Sequence, residues 1–100
     1  MKEKVIVEIG KCLSNPTRVR ILEWLKDPDL NFPANHTGVP NKSGVCVGLI
    51  QEKAGLTQST ISTYLSNMER CGLLNMFREG KWSYYSRNEE AINSFCEALK

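Results

Sequence analysis

The sequence has little of what an enzyme, a membrane protein or a metal site requires. Its single histidine, His36, stands alone in a proline-rich stretch, so no nucleophile–base constellation can be assembled around it. The seven glycines are dispersed and form no phosphate-cradling loop. No apolar run approaches the ~20 residues that cross a bilayer. The four cysteines, Cys12, Cys46, Cys71 and Cys96, make no C-x-x-C or C-x-C pair, which excludes the compact zinc-ribbon and redox motifs. The first apolar stretch is interrupted by Glu8 and Lys11 and makes a poor secretory signal, so a cytoplasmic chain with reduced, mostly buried thiols is expected. Internal repeats and low-complexity tracts are also missing. A net charge of only +2 does not by itself announce a nucleic-acid partner.

What is present is enough for one modest core: 100 residues, 41% hydrophobic and 24% charged, read as a single domain over 1–100. The charge is unevenly placed. Residues 1–26 and 57–87 are net basic, whereas 27–56 and 88–100 are net acidic, so a basic face can hide in the weak total.

The periodicities predict a mainly α fold with a small β-hairpin. Val5, Ile6, Ile9 and Leu13 form one helical stripe over residues 3–13. Asn15-Pro16 then caps and starts a second helix to Lys26, expected to bury Val19, Leu22 and Trp24 or Leu25. Residues 27–43 carry three prolines and read as a mobile surface insertion. A helix over 45–54, a short turn containing Gly55, and a helix from the cap Thr57 to Cys71, stopped by Gly72, form a helix-turn-helix. Residues 73–87 alternate with period two around Glu79-Gly80, as a hairpin does. Asn88 caps a last helix with the stripe Ile92, Phe95, Cys96 and Leu99.

On a helical wheel, residues 57–71 put Ile61, Leu65 and Met68 on one side and Ser59, Thr63, Ser66 and Arg70 on the other. Short hydroxyls are poor helix formers but approach a groove closely and bond to base edges and phosphates. Gln58, near the positive end of the helix, can offer its amide to a base. Arg78 and Lys81 flank the hairpin turn, where cations grip phosphates. The hydroxyl face alone suits a polar surface helix equally well; the preceding helix, the tight turn and the hairpin tilt it toward DNA. Trp82, Tyr84 and Tyr85 are expected to pack the hairpin onto the helices.

Asn15–Leu22, Gly44–Ile50, Leu56–Leu65 and the run Arg-Glu-Gly-Lys-Trp-Ser-Tyr-Tyr at 78–85 together resemble the ArsR/SmtB family of winged-helix transcriptional regulators. The resemblance covers the chain apart from 27–43. It implies about five helices with a two-stranded wing, and a homodimer joined through the terminal helices. Such a dimer is a repressor of an inverted-repeat operator in double-stranded DNA, released by an effector whose identity the sequence does not give. Gln58, Ser59, Thr60, Ser62 and Thr63 would read the operator. Tyr64 stands where the family often has His, with a phosphate role, and Ser66, Arg78 and Lys81 complete the contact set. The chain departs from the family's metal sites: Cys46 is followed by Val47 and Gly48, and the last helix has no His, so neither a metal nor a cofactor is expected. Cys12 and Cys96, on the helices expected at the dimer interface, are the candidate thiol sensor. The competing reading is a winged-helix protein–protein interaction module without DNA binding.

Overall fold

The computed structural model describes residues 1–100 as six helices and a three-stranded antiparallel sheet. In chain order these are α1 (Glu3–Cys12), α2 (Pro16–Lys26), α3 (Pro28–Asn31), β1 (Val45–Cys46), α4 (Val47–Ala54), α5 (Gln58–Arg70), β2 (Leu74–Glu79), β3 (Trp82–Arg87) and α6 (Glu89–Ala98).

The predicted caps are in place. The Asn15 carboxamide oxygen accepts from the backbone N–H of Thr17 and Arg18 at 2.9 and 3.2 Å, with Pro16 as the first helical residue. The Thr57 hydroxyl accepts from the Thr60 N–H at 3.3 Å, and the Asn88 side chain accepts from Ala91 N–H at 3.1 Å. Each satisfies a first-turn donor that the helix itself leaves unpaired. Gly55, in the left-handed region at φ 67°, ends α4 and turns the chain into α5.

One core gathers Ile9, Ile21, Leu25, Phe32, Val45, Ile50, Ile61, Leu65, Met68, Leu73, Leu74 and Tyr85. On α2 the fully covered residues are Ile21 and Leu25; Val19, Leu22 and Trp24 are only half-buried. The reason lies in Trp24, which packs edge-on against Phe32 at 6.4 Å beneath Lys53, at the rim of the core rather than in it.

Two further expectations are corrected. Val45 does not begin a helix: with Cys46 it forms a third strand, paired to Tyr85 and Tyr84, so the sheet order is β1-β3-β2 and the wing rests on a sheet rather than a free hairpin. Residues 27–43 are not loose either. They contribute α3 and the core residue Phe32, and they are held by a buried asparagine, Asn35. Its Nδ2 donates to the carbonyls of Val39 (2.9 Å) and Gly44 (2.8 Å), its Oδ1 accepts from Cys46 N–H (2.9 Å), and its own N–H donates to Asn41 Oδ1 (3.0 Å). Asn41 in turn donates to Pro33 O at 3.0 Å. A segment rich in proline lacks backbone donors of its own; side-chain amides supply the bonds that a ladder would otherwise make.

This segment covers one face of the sheet. Adjacent strand residues point to opposite faces, so Tyr85 enters the helical core while Tyr84 points the other way. There Tyr84 stacks on Phe77 (5.0 Å), shares a hydrogen bond with Thr37 and is fully buried. His36 packs edge-on against Trp82 at 4.8 Å. Tyr84 and Trp82 therefore fasten the wing to the 32–41 segment, and of the three aromatics only Tyr85 enters the helical core.

Candidate nucleic-acid interface

The α4–turn–α5 unit sets the exposed side of α5. Ile61, Leu65 and Met68 are each fully buried, at spacings of four and three residues that put one stripe against the core. That pins the helix about its own axis and leaves Gln58, Ser59, Thr63, Ser66 and Arg70 in solvent, with Thr60, Ser62 and Tyr64 half-covered along the margins.

Some of these hydroxyls are already engaged. Thr57 Oγ1 donates to Thr60 Oγ1 at 2.9 Å and lies 3.4 Å from Ser59 Oγ. Thr63 Oγ1 donates back to the Ser59 carbonyl at 3.0 Å, which holds its rotamer and leaves its lone pairs outward. Gln58, Ser62 and Ser66 make no side-chain bond within the chain. Tyr64 is turned toward α2: its hydroxyl accepts from Asn15 Nδ2 at 3.1 Å and its ring lies under the Arg18 guanidinium at 5.0 Å. The Tyr64 O–H remains free to donate, and Arg18 is delivered beside the polar face.

The wing tip differs by one residue from its expected form. Glu79 pairs with Trp82, so Gly80, at φ 62°, and Lys81 are the two turn residues, and Arg78 sits opposite Ser83. Lys81 lies within the tip itself, its Nζ 5.1 Å from the Trp82 ring. The chain's ion pairs are Arg87–Glu89 and Glu97–Lys100. Arg87 is committed to the fold, gripping Glu89 at 2.8 and 3.1 Å and the Leu22 carbonyl at 3.1 Å. Arg18, Arg70, Arg78 and Lys81 carry no carboxylate partner, so their charge is available to an anion. Tyr85, whose phenol burial keeps protonated with Glu69 adding to the effect and Arg78 opposing it, lies where the end of α5 meets the wing.

The two thiols expected as a sensor sit in different surroundings within the chain. Cys96 is exposed on α6, whereas Cys12, the buried last residue of α1, meets Cys71 at the end of α5. The Cys71 thiol donates to the Met68 carbonyl at 3.4 Å. The neighbouring Cys12 thiol is the main cause holding the Cys71 thiol down at about 6, with backbone N–H groups and the Arg18 guanidinium assisting and burial opposing. Cys12 is pushed strongly upward, first by Cys71 and then by burial. The two residues lie 59 apart in sequence, and no spacing motif links them; only the packing of α1 against α5 does. Arg70, on the outward side of α5, has no carboxylate partner and adds an exposed cation beside the polar face.

Comparison with known proteins identifies this arrangement. No protein-family model matches the sequence. The chain is 48% identical over 95 residues, 94% of both sequences, to YbzH, an uncharacterized HTH-type transcriptional regulator of Bacillus subtilis. It is 33% identical over 87 residues to the HTH-type transcriptional regulator CmtR of Mycobacterium tuberculosis, and spans 60% of that protein's length. Its backbone matches, with a TM-score of 0.68 at 24% identity over 96% of this chain and 76% of the other, a homodimeric winged helix-turn-helix DNA-binding domain of Mycobacterium bovis, a possible ArsR-family regulator. With a helix-turn-helix whose second helix turns its hydroxyls outward, a wing built on its third and second strands, and a near full-length regulator as relative, the chain belongs to the ArsR/SmtB family of winged helix-turn-helix transcriptional regulators.

Proposed function

We propose that residues 1–100 act as one winged-helix unit that dimerises through α1 and α6 and represses transcription by binding an inverted-repeat operator, from which an effector releases it. The observation that carries this reading is the division of α5: three core residues fully buried behind, and Ser59, Thr63 and Ser66 in solvent in front. Small hydroxyls let the helix enter a major groove, where Gln58, Ser59, Ser62 and Thr63 meet base edges. Thr60 and Tyr64 at the margins, with Ser66 further along the exposed side, face phosphates, and Arg78 and Lys81 grip the backbone from the wing. The positive end of α5 adds attraction for a phosphate.

Dimerisation is supported by surface that one chain leaves open. Val5, Val7 and Leu99 are 39, 48 and 61% exposed, and none of the α6 stripe is buried. A two-fold pairing of these helices would cover that surface and set two α5 helices on half-sites about 34–36 Å apart. No helix is long and apolar enough to cross a membrane, and an operator on chromosomal DNA would be met in the cytoplasm.

The test is selection of a preferred duplex from a random pool, followed by Ser59→Glu and Thr63→Glu. Each places a carboxylate at the groove, and each should abolish the preference while leaving the circular dichroism spectrum unchanged. A preference that survives both variants would favour the interaction-module reading. Val7→Glu with Leu99→Glu should convert a dimer to a monomer in sedimentation velocity.

A further inference from the structure

Between α1, α2 and the end of α5 lies an open cleft of about 760 Å³. Four cations line it, Lys4, Lys11, Arg18 and Arg70, against one carboxylate, Glu8, and both Cys12 and Cys71 open onto it. A cationic wall next to two thiols that line one cleft is not what packing alone calls for. A thiol kept only as a small apolar residue, such as the fully buried Cys46 of β1, needs no cationic neighbours. Cationic surroundings are where thiolates, and hence reactive cysteines, form.

We propose that Cys12 and Cys71 are a peroxide-reactive dithiol whose oxidation to a disulfide alters the DNA affinity of the helix that Cys71 terminates. Cys71, the half-exposed member, attacks. Its thiolate sulfur bonds to one peroxide oxygen, the O–O bond breaks, and hydroxide leaves, giving the sulfenic acid. The Cys12 sulfur then attacks the Cys71 sulfur; the S–O bond breaks, and the departing hydroxyl takes the Cys12 proton as water. Two thiols lose two electrons and two protons, and one hydrogen peroxide is reduced to two waters. Because both thiols line the same cleft, the second step needs only a local shift of the sulfurs.

The position gives the bond a consequence. Cys71 is the C-cap of α5, its N–H bonded to the Asn67 carbonyl at 3.0 Å, and Asn67 and Arg70 share the cleft. Cys12 closes α1, its carbonyl accepting from Arg18 Nε at 2.8 Å. A disulfide would clamp the end of the recognition helix to α1 and move Arg18 and Arg70, two cations beside the polar face. The effect on DNA rests on the function proposed above; the thiol chemistry does not.

The experiment treats the whole chain with hydrogen peroxide and digests it with trypsin without reductant. The expected product joins peptide 12–18 to peptide 71–78 with the loss of two hydrogens. Cys12→Ser should instead accumulate a dimedone-trappable sulfenic acid at Cys71, and Cys71→Ser should leave Cys12 unmodified; Cys96→Ser should behave as wild type. Wild-type kinetics, which need no variant to fold, should show Cys71 reacting before Cys46 and Cys96. Oxidised protein should bind the selected duplex with an affinity changed by roughly 5–150-fold, the usual size of a coupling between sites, and reversed by dithiothreitol. Peroxide that oxidises Cys96 first, or that leaves 12–18 and 71–78 unlinked, overturns the dithiol. A linked product with unchanged affinity overturns the coupling. Absence of any DNA binding by the reduced protein counts against the proposed function and leaves the peptide result standing.

Discussion

Replacing Arg78 and Lys81 together by alanine tests the wing with a quantity that can be worked out in advance. Both side chains are exposed, and neither has an ion pair to lose. The intramolecular loss is the Lys81–Trp82 contact at 5.1 Å, worth about 0.5–1 kcal/mol at an exposed site, so the fold should survive. Each phosphate neutralised on B-DNA contributes about −0.9 to the slope of log K against log salt, so two lost contacts should flatten that slope by about 1.8. Between 50 and 200 mM salt, a fourfold range, this amounts to an affinity ratio about 12-fold smaller in the double variant than in wild type. The assay is fluorescence anisotropy of a labelled duplex at five salt concentrations, run on the selected duplex and on a scrambled one. The slope should flatten equally on both, because phosphates carry no sequence. An unchanged slope would remove the wing from the interface. A loss confined to the selected duplex would make these residues base readers and refute the reasoning.

Three other substitutions or titrations address the parts that hold this geometry. Asn35→Ala unpairs the half-buried Val39 carbonyl, the buried Gly44 carbonyl and the buried Cys46 N–H; at about 1–3 kcal/mol for each of the buried groups left unpaired, the urea midpoint should fall by the equivalent of about 2 kcal/mol or more. Gly44→Ala would set a methyl 2.9 Å from Tyr84 Cβ and 3.0 Å from the Phe77 ring, and overpacking of that kind should cost about 1–3 kcal/mol in the same denaturation experiment. Alkylation of Cys71 by iodoacetamide should follow its lowered thiol: fast above pH 6, slowing as pH falls through about 6, with the midpoint moving up toward the ordinary thiol value in Cys12→Ala, which removes the neighbouring thiol. A wild-type midpoint near 9 would show that the contact with Cys12 does not stabilise the thiolate.

How much of this was legible in advance follows from the range over which each signal acts. The stripe Ile61/Leu65/Met68, the caps Asn15, Thr57 and Asn88, and the Gly80 turn depend on residues within four positions of one another, so they appear in the linear sequence and in the structure alike. β1 escaped because two residues cannot display a period, and Val45 fits a helix stripe as readily as a strand paired to Tyr85. The order of 27–43 escaped because proline, glycine and asparagine have the same composition in a loose loop as in a bonded one; what separates the two is where Asn35 points. Cys12 and Cys71 met only once α1 and α5 were packed. The stripes of α1 and α6 were partly legible as apolar, but a single chain leaves them open, which is why Cys96 lies in solvent rather than beside Cys12.

α5 and the wing, the two elements proposed to face DNA, are held by separate devices, and this determines how the 27–43 segment bears on function. α5 is fixed by three side chains driven into the core. The wing is fixed on one face by Tyr85 and on the other by Tyr84 and Trp82, which lie against Thr37 and His36. A free two-stranded hairpin is marginally stable in water, and a third strand or a covering element is needed to hold its angle. β1 supplies the strand and the segment supplies the cover, with Asn35 joining the two through Gly44 and Cys46. Excising residues 30–41 would therefore remove Phe32 from the core, uncover Tyr84 and unpair the backbone at β1. A loss of DNA affinity after such a deletion would report a wing set loose rather than a missing contact, and the segment's role is that of a buttress aiming Arg78 and Lys81.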